Sequence, residues 1–345
     1  MEDQTTEQEA GSMPVSEKTK KPLSNNVKII GLVVIIVLIA VAAGTFVFLN
    51  LPKPQTAWIT NIEEAKTASQ KAKKDLLIVF TGSDWNDPSK QLVTNVFKGD
   101  FFKKGSKKFV LCNIDIVQDE KLMDKTLLDA NYKIATEYGV QSLPMFVLQT
   151  SEGDVYASSG STDKTVTTEG FYTFLDTFKD ARKNIVDMKN KIRTTKGADK
   201  AKAIDKFIEA IDPSRREKYS EMIRLVPGLA TGAAADLKGK YQLQVAYLDA
   251  ITLYQNSKMV EAGDLFIKLA EGGTLNPAQS QEAWYMGAYM NAMSGQTDNA
   301  KILEWLQKAI DSDPKNSGAA QIQATIEQIK STPAKKAAPA PATKK

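Results

Sequence analysis

The sequence predicts an α/β domain with a central mixed sheet flanked by helices, followed by an all-α domain and preceded by one transmembrane helix. Three observations predict it. Leu76, Leu77, Ile78, Val79 and Phe80 form a continuous apolar run of strand length, which suits a strand covered on both faces. From about Asp180 the texture changes to long helical periods with no strand run. Ahead of both, residues 29–49 carry no charge and at about 1.5 Å per residue reach roughly 30 Å, one bilayer core.

Composition excludes several kinds of chemistry. The chain of 345 residues is 42% apolar, enough for two cored domains, and its net charge of +4 carries no basic stripe for nucleic acid. It has no histidine, which removes the commonest general base, every Ser-His or Cys-His pairing and most zinc sites. With Cys112 as its one cysteine, it can form no disulfide within one chain and no CxxC site. No metal-ligand spacing occurs, and no cofactor is expected.

Residues 1–28 are polar and read as a disordered cytoplasmic tail. The apolar run 29–49 lacks the polar face of a buried core helix. Ala40-Val41-Ala42 resembles a cleavage site, but the long leader and the apolar continuation favour an uncleaved anchor. Lys18, Lys20, Lys21 and Lys28 precede the run and only Lys53 follows it closely. That bias puts the N-terminus inside and the soluble domains in the periplasm or exterior, the chain being a single-pass protein of the inner membrane.

Residues 50–56 form a stiff linker around Pro52 and Pro54. Residues 58–60 read as a first strand, and Asn61 with Glu64 has capping-box form for a helix to about Lys74. The strand 76–80 follows and Thr81-Gly82-Ser83 breaks it. Asp87 before Pro88 reads as N-cap and first helical residue of a helix to about Phe102, ended by Lys103-Lys104-Gly105-Ser106. Residues 109–117 read as a strand. Residues 118–138 read as a helix stopped by Gly139, and 143–148 as a strand opened by Pro144. The turn 151–154 leads into a hairpin partner at 155–158, and a helix from about Thr168 closes the unit.

This order, and three motifs in it, resemble the thioredoxin fold over about residues 57–180. Gly82-Ser83-Asp84-Trp85 leads into Asn86-Asp87-Pro88-Ser89-Lys90, where active members carry Trp-Cys-x-x-Cys-Lys. Pro88 stands in the place of the proline within Cys-Gly-Pro-Cys. Gly139-Val140-Gln141-Ser142-Leu143-Pro144 is similar to the family's Gly-Val-x-Ser/Thr-x-Pro, which implies that Pro144 is cis and faces the Trp85 turn. The resemblance also puts Phe80 where many thioredoxins keep a buried acid. It fails at the two sulfur positions, which read Asn86 and Ser89.

An amide has no thiolate state, and a serine with no base near it cannot replace one. The expectation is a degenerate redox turn, Trp85 to Lys90, that offers contact without thiol–disulfide exchange. Cys112 reads as a small buried hydrophobe and otherwise as a regulatory or reactive thiol. Asp84 and Asp87 read as turn and cap residues before they read as an acid–base pair. Trp85 reads as packing at the helix start before it reads as a stacking ligand.

In the second domain, 181–330, helices are expected around 203–211, at 219–225 ending on Pro227-Gly228, in the pairs 241–254 with 259–270 and 284–293 with 299–310, and at 322–329. Ala288-Tyr289, Gly295, Ala300, Trp305, Ala309 and Pro314 resemble the tetratricopeptide pattern, which implies a concave surface for a partner's peptide or helix. An irregular bundle without a groove is the alternative. Residues 331–345, rich in Ala, Pro and Lys, read as a disordered tail. The chain is therefore expected to be a membrane-anchored binding or scaffold module for a protein or peptide, leaning away from enzyme activity. A thiol-disulfide oxidoreductase working through Cys112 with partner thiols, and a purely structural envelope protein, are the rivals.

Overall fold

In a computed structural model, the described residues are 55–331. The expected tail 1–28, anchor 29–49 and most of the linker lie outside them, as do residues 332–345. No helix among the described residues is long and apolar enough to cross a membrane.

The first domain runs α1 (Ile62–Ala72), β1 (Asp75–Thr81), α2 (Asp87–Asn95), α3 (Phe101–Lys108), β2 (Phe109–Asp115), α4 (Lys125–Glu137), β3 (Met145–Gln149), β4 (Val155–Gly160) and α5 (Thr168–Asp176). Its sheet has the order β2-β1-β3-β4, with β1 parallel to β2 and antiparallel to β3, and β3 antiparallel to β4. All seven residues of β1 are buried, as its unbroken apolar run requires. Leu77 and Val79 point into one core with Leu92, Phe101, Phe146, Phe171 and Leu175. Leu76, Ile78 and Phe80 point into the other with Ile62, Val110, Cys112, Ile114 and Val147.

Four expected boundaries change. The strand at 58–60 is a single bridge, Ile59 to Cys112, fixed by hydrogen bonds of 3.1 and 3.0 Å to Leu111 and Asn113. The expected helix to Phe102 is two helices, broken where Gly99 takes φ +55°. Gly105 does not end a helix. It lies inside α3, where a Cβ would meet the Tyr172 hydroxyl at 2.6 Å and Leu111 at 3.2 Å, so it lets α3 sit close on the sheet. The helix expected from Gln118 begins only at Lys125, capped by Asp124.

The remaining described residues are helical: α6 (Lys179–Thr194), α7 (Gly197–Ala210), a 3-10 stretch (Pro213–Tyr219), α8 (Ser220–Leu229), α9 (Leu237–Gln255), α10 (Met259–Glu271), α11 (Pro277–Ser294), α12 (Asn299–Ser312) and α13 (Gly318–Ser331). Pro227 does not end α8 but lies within it. The pairs α9–α10 and α11–α12 repeat at a constant interval, starting at Leu237 and Met259, then Pro277 and Asn299. Gly263 and Gly287 meet between α10 and α11, where a Cβ on Gly263 would lie 3.0 Å from the Gly287 carbonyl.

The two domains are joined through the β3–β4 turn. Asp154, 1% exposed, accepts from Lys189 of α6 at 2.8 Å and from the Tyr219 hydroxyl at 2.9 Å. Arg193 pairs with Glu152, and Arg215 donates to the Tyr138 carbonyl and the Ser158 hydroxyl at 3.1 Å each. Arg182 of α6 grips the buried Asp75 carboxylate with two N–H groups, and Tyr156 donates to the same carboxylate at 2.9 Å.

Candidate functional site

The strand β1 delivers the chain to a tight turn at its C-terminal end. The Gly82 carbonyl accepts from Trp85 N at 3.3 Å and Asn86 N at 2.8 Å. Gly82 is required there, since a Cβ would lie 2.7 Å from the Trp85 indole. Trp85 is 39% exposed and its Nε1 donates to the Ile116 carbonyl at 2.7 Å, so it packs on the turn with one edge in solvent.

The helix cap differs from expectation. Asn86, not Asp87, is the N-cap of α2, and its Oδ1 accepts from Ser89 N at 3.0 Å. Asp87 is the first helical residue and Pro88 the second. Asp87 pairs with Lys90 at 3.3 Å on the exposed face. Asn reaches the N–H three residues on and leaves Asp87 free to place its charge in the first turn, where the helix dipole favours it.

The two sulfur positions are bonded to each other. Ser89 Oγ donates to Asn86 Oδ1 at 2.8 Å and accepts from Gly82 N at 3.1 Å. Ser89 is fully buried. Its proton and its acceptor face are both engaged, and among the described residues no basic side chain is hydrogen-bonded to it, so the pair has neither a free nucleophile nor a group to activate one.

A polar shell that sequence reading missed holds the turn. Asp115, at the end of β2, accepts from Ser83 N at 2.9 Å, from the Ser83 hydroxyl, and from Thr81 Oγ1 at 2.8 Å. Asp84 accepts from Gln118 N and Asp119 N at 2.9 and 2.8 Å. The Asp119 N–H foremost holds the Asp84 carboxyl below its ordinary range, so it is a fixed anion and not a proton donor. The signal for this was the polar pair Ser83-Asp84 between two apolar strands, but its partner Asp115 is far off in sequence. Behind it, Asn131 is 1% exposed, and its Nδ2 donates to the Asp115 carbonyl while its Oδ1 has no partner among the described residues.

Pro144 follows a cis bond from Leu143, and its neighbour Met145 pairs with Phe80. Pro144 is therefore beside the C-terminal end of β1, the end that carries the Trp85 turn. Cys112 is elsewhere: it pairs with Ile78 in the middle of the sheet, is fully buried, and burial pushes its thiol up to about 12. Among the described residues no cluster of three or more His, Cys, Asp or Glu side chains is placed to hold a metal ion.

A concavity of about 770 Å³ lies at the domain junction, lined by Lys66, Tyr138 and Gln149 from one side and Arg215, Lys218 and Tyr219 from the other. Its rim also carries Glu137, Glu152, Asp212 and Glu217, so its charges are mixed.

Comparison with known proteins agrees with this division. Residues 57–150 match the sequence model of a family described as thioredoxin-like, and residues 237–335 match one described as an uncharacterised protein C-terminal domain. An uncharacterised protein of Treponema pallidum is 24% identical over 275 residues, 80% of this chain and 90% of its own length. The thioredoxin-related protein DsbJ of Chlamydia pneumoniae is 26% identical over 109 residues, 31% of each chain. Among solved structures, a DsbH oxidoreductase matches 33% of this chain and 83% of its own at 21% identity and a TM-score of 0.28. A disulphide isomerase from Xylella fastidiosa matches 37% and 97% at 22% identity and the same TM-score. Residues 57–150 form a thioredoxin-like domain, joined to a helical C-terminal region.

Proposed function

We propose that this chain is a membrane-anchored, extracytoplasmic protein whose thioredoxin-like domain holds a protein or peptide partner without exchanging electrons with it. The observation that carries this reading is the closed Asn86–Ser89 pair. It reproduces the link between the two positions of a redox turn with a hydrogen bond that nothing oxidises or reduces. The surface around it is intact: the Trp85 edge, the start of α2 and the strand end beside Pro144. The helical region supplies a second surface as a tetratricopeptide-like scaffold, although its helix pairs recur every 40 residues, Leu237 to Pro277 and Met259 to Asn299, against about 34 in that family. Anchoring rests on residues 29–49, and the lysines before them direct the folded domains outward.

The test joins chemistry to contact. The full chain is assayed for insulin reduction with dithiothreitol, and a photo-crosslinker is placed at Trp85 in membranes. Expected are no turnover and a reproducible crosslinked protein. Turnover near that of an active thioredoxin would overturn the redox part, and crosslinking with no recurrent partner would favour a purely structural role. Cleavage of the folded domains by protease added outside the inner membrane tests the orientation.

A further inference from the structure

Along α9, Tyr247, Ile251 and Tyr254 recur at helical spacing, and along α11 Tyr285, Tyr289 and Met293 do the same. Ile251, Tyr254, Tyr289 and Met293 are between 46% and 60% exposed. The two rows form one surface. The Tyr247 hydroxyl crosses from α9 to Glu282 of α11 at 2.7 Å, and Tyr254 and Met293 line a common hollow of about 420 Å³ with Met259. The Tyr285 and Tyr289 rings stack at 6.4 Å and 25°. Single exposed apolar residues are ordinary, whereas a joined set across two helices marks a contact surface.

The chain itself supplies a segment that fits. Gln281, early in α11, donates to the Asp313 carbonyl just ahead of α13, and Gly318 at the start of α13 lies beside the Gln281 side chain. Ile322 and Ile326 of α13 pack with Trp284 and Ala288 of α11, so the two helices run the same way. Ser331 therefore leaves the fold at the Met293 end. The residues that follow are Thr332-Pro333-Ala334-Lys335-Lys336-Ala337-Ala338-Pro339-Ala340-Pro341-Ala342-Thr343-Lys344-Lys345.

Alternating Ala-Pro sequence favours the polyproline conformation, at about 3.1 Å per residue, and such segments dock on aromatic-lined grooves at little cost in chain entropy. Pro339 then lies roughly 25 Å along the chain from Ser331. The α9 row is two interhelix spacings from α13, roughly 20 Å. Length, exit point and chemistry agree. The segment is also basic, with four lysines, and Glu282 within the aromatic surface accepts from the Tyr247 hydroxyl.

We propose that residues 337–342 dock in cis on the tyrosine and methionine face of α9 and α11. The face is then self-occupied at rest, and a partner that uses it must displace the segment. This does not depend on whether the Trp85 surface binds anything, so either reading can fail alone.

The test places a benzophenone amino acid at Ala340 of the full chain in detergent. Expected are crosslinks to Tyr254, Tyr289 or Met293, found only within one chain when unlabelled and ¹⁵N-labelled protein are mixed. Tyr254→Ala with Tyr289→Ala, both exposed, should lower the yield more than tenfold. Pro339→Ala with Pro341→Ala, outside the described fold, should do the same without touching any folded contact. Crosslinks elsewhere, no crosslinks, mixed-isotope crosslinks, or yields that survive both substitutions would each overturn the proposal.

Discussion

Ser89 is fully buried, and both faces of its oxygen are taken. Replacing it with alanine leaves the buried Gly82 N–H without an acceptor. An unmet buried donor costs about 1–3 kcal/mol, so Ser89→Ala should lower the free energy of urea unfolding by that amount, seen as a lower midpoint at unchanged slope. Asn86→Ala removes the cap and should cost about 1 kcal/mol. If only the sulfurs are missing from the redox turn, Asn86→Cys with Ser89→Cys should gain insulin-reducing activity that the natural chain lacks. An inert double variant would mean that the surroundings of the turn do not support the reaction either. Cys112 is the opposite case. With its thiol pushed up to about 12 and no exposed surface, it should label slowly with a maleimide at pH 7 until denaturant is added. Rapid labelling of the folded protein would revive a Cys112 oxidoreductase.

Elements were legible where one local pattern decided them. The apolar run of β1, the proline before β3 and the hairpin turn were read from a few adjacent residues, and each formed. Two of the misses share one cause: a distant partner outweighed the local preference. Residues 118–124 carry a helix-compatible pattern, yet Asp84 takes the N–H groups of Gln118 and Asp119 and keeps them out of α4. The same carboxylate makes this loop a test. Asp84→Ala should raise hydrogen exchange at Gln118 and Asp119 and leave β1 protected, whereas unchanged exchange would mean that the loop holds itself. Gly105 looked like a helix terminator because its packing against Leu111 and Tyr172 is invisible in the sequence. At the site, the motif located the turn, but which residue caps the helix was decided by the backbone, Asn86 being extended and reaching the Ser89 N–H while Asp87 is already helical.

At the scale of the molecule, the junction is built from carboxylates that the first domain buries and cations that the second supplies. Asp154 is buried and held by Lys189 and Tyr219, so the hairpin tip needs the helical region and the helical region is held by the tip. The pH dependence follows from the same groups. Glu152, hydrogen-bonded first by Arg193, has its carboxyl held below the ordinary range. A depressed carboxylate contributes stability above its unfolded pKa and loses it as pH falls through the folded value. Stability should therefore decline on acidification below about pH 4.5, and vary little between pH 6 and 8 because the chain has no histidine. Cooperativity is the sharper consequence. Breaking one side of a buried pair costs about 3–5 kcal/mol, enough to make the two domains unfold together while the pair is intact. Calorimetry of the full chain should give one transition. Lys189→Met strands the Asp154 carboxylate and should split that transition in two, the earlier one being the domain that loses its clamp. Adding Asp154→Leu removes the stranded charge and should recover part of the lost stability. A natural chain that already melts in two steps, or a Lys189→Met chain that still melts in one, would show that the junction does not couple the domains.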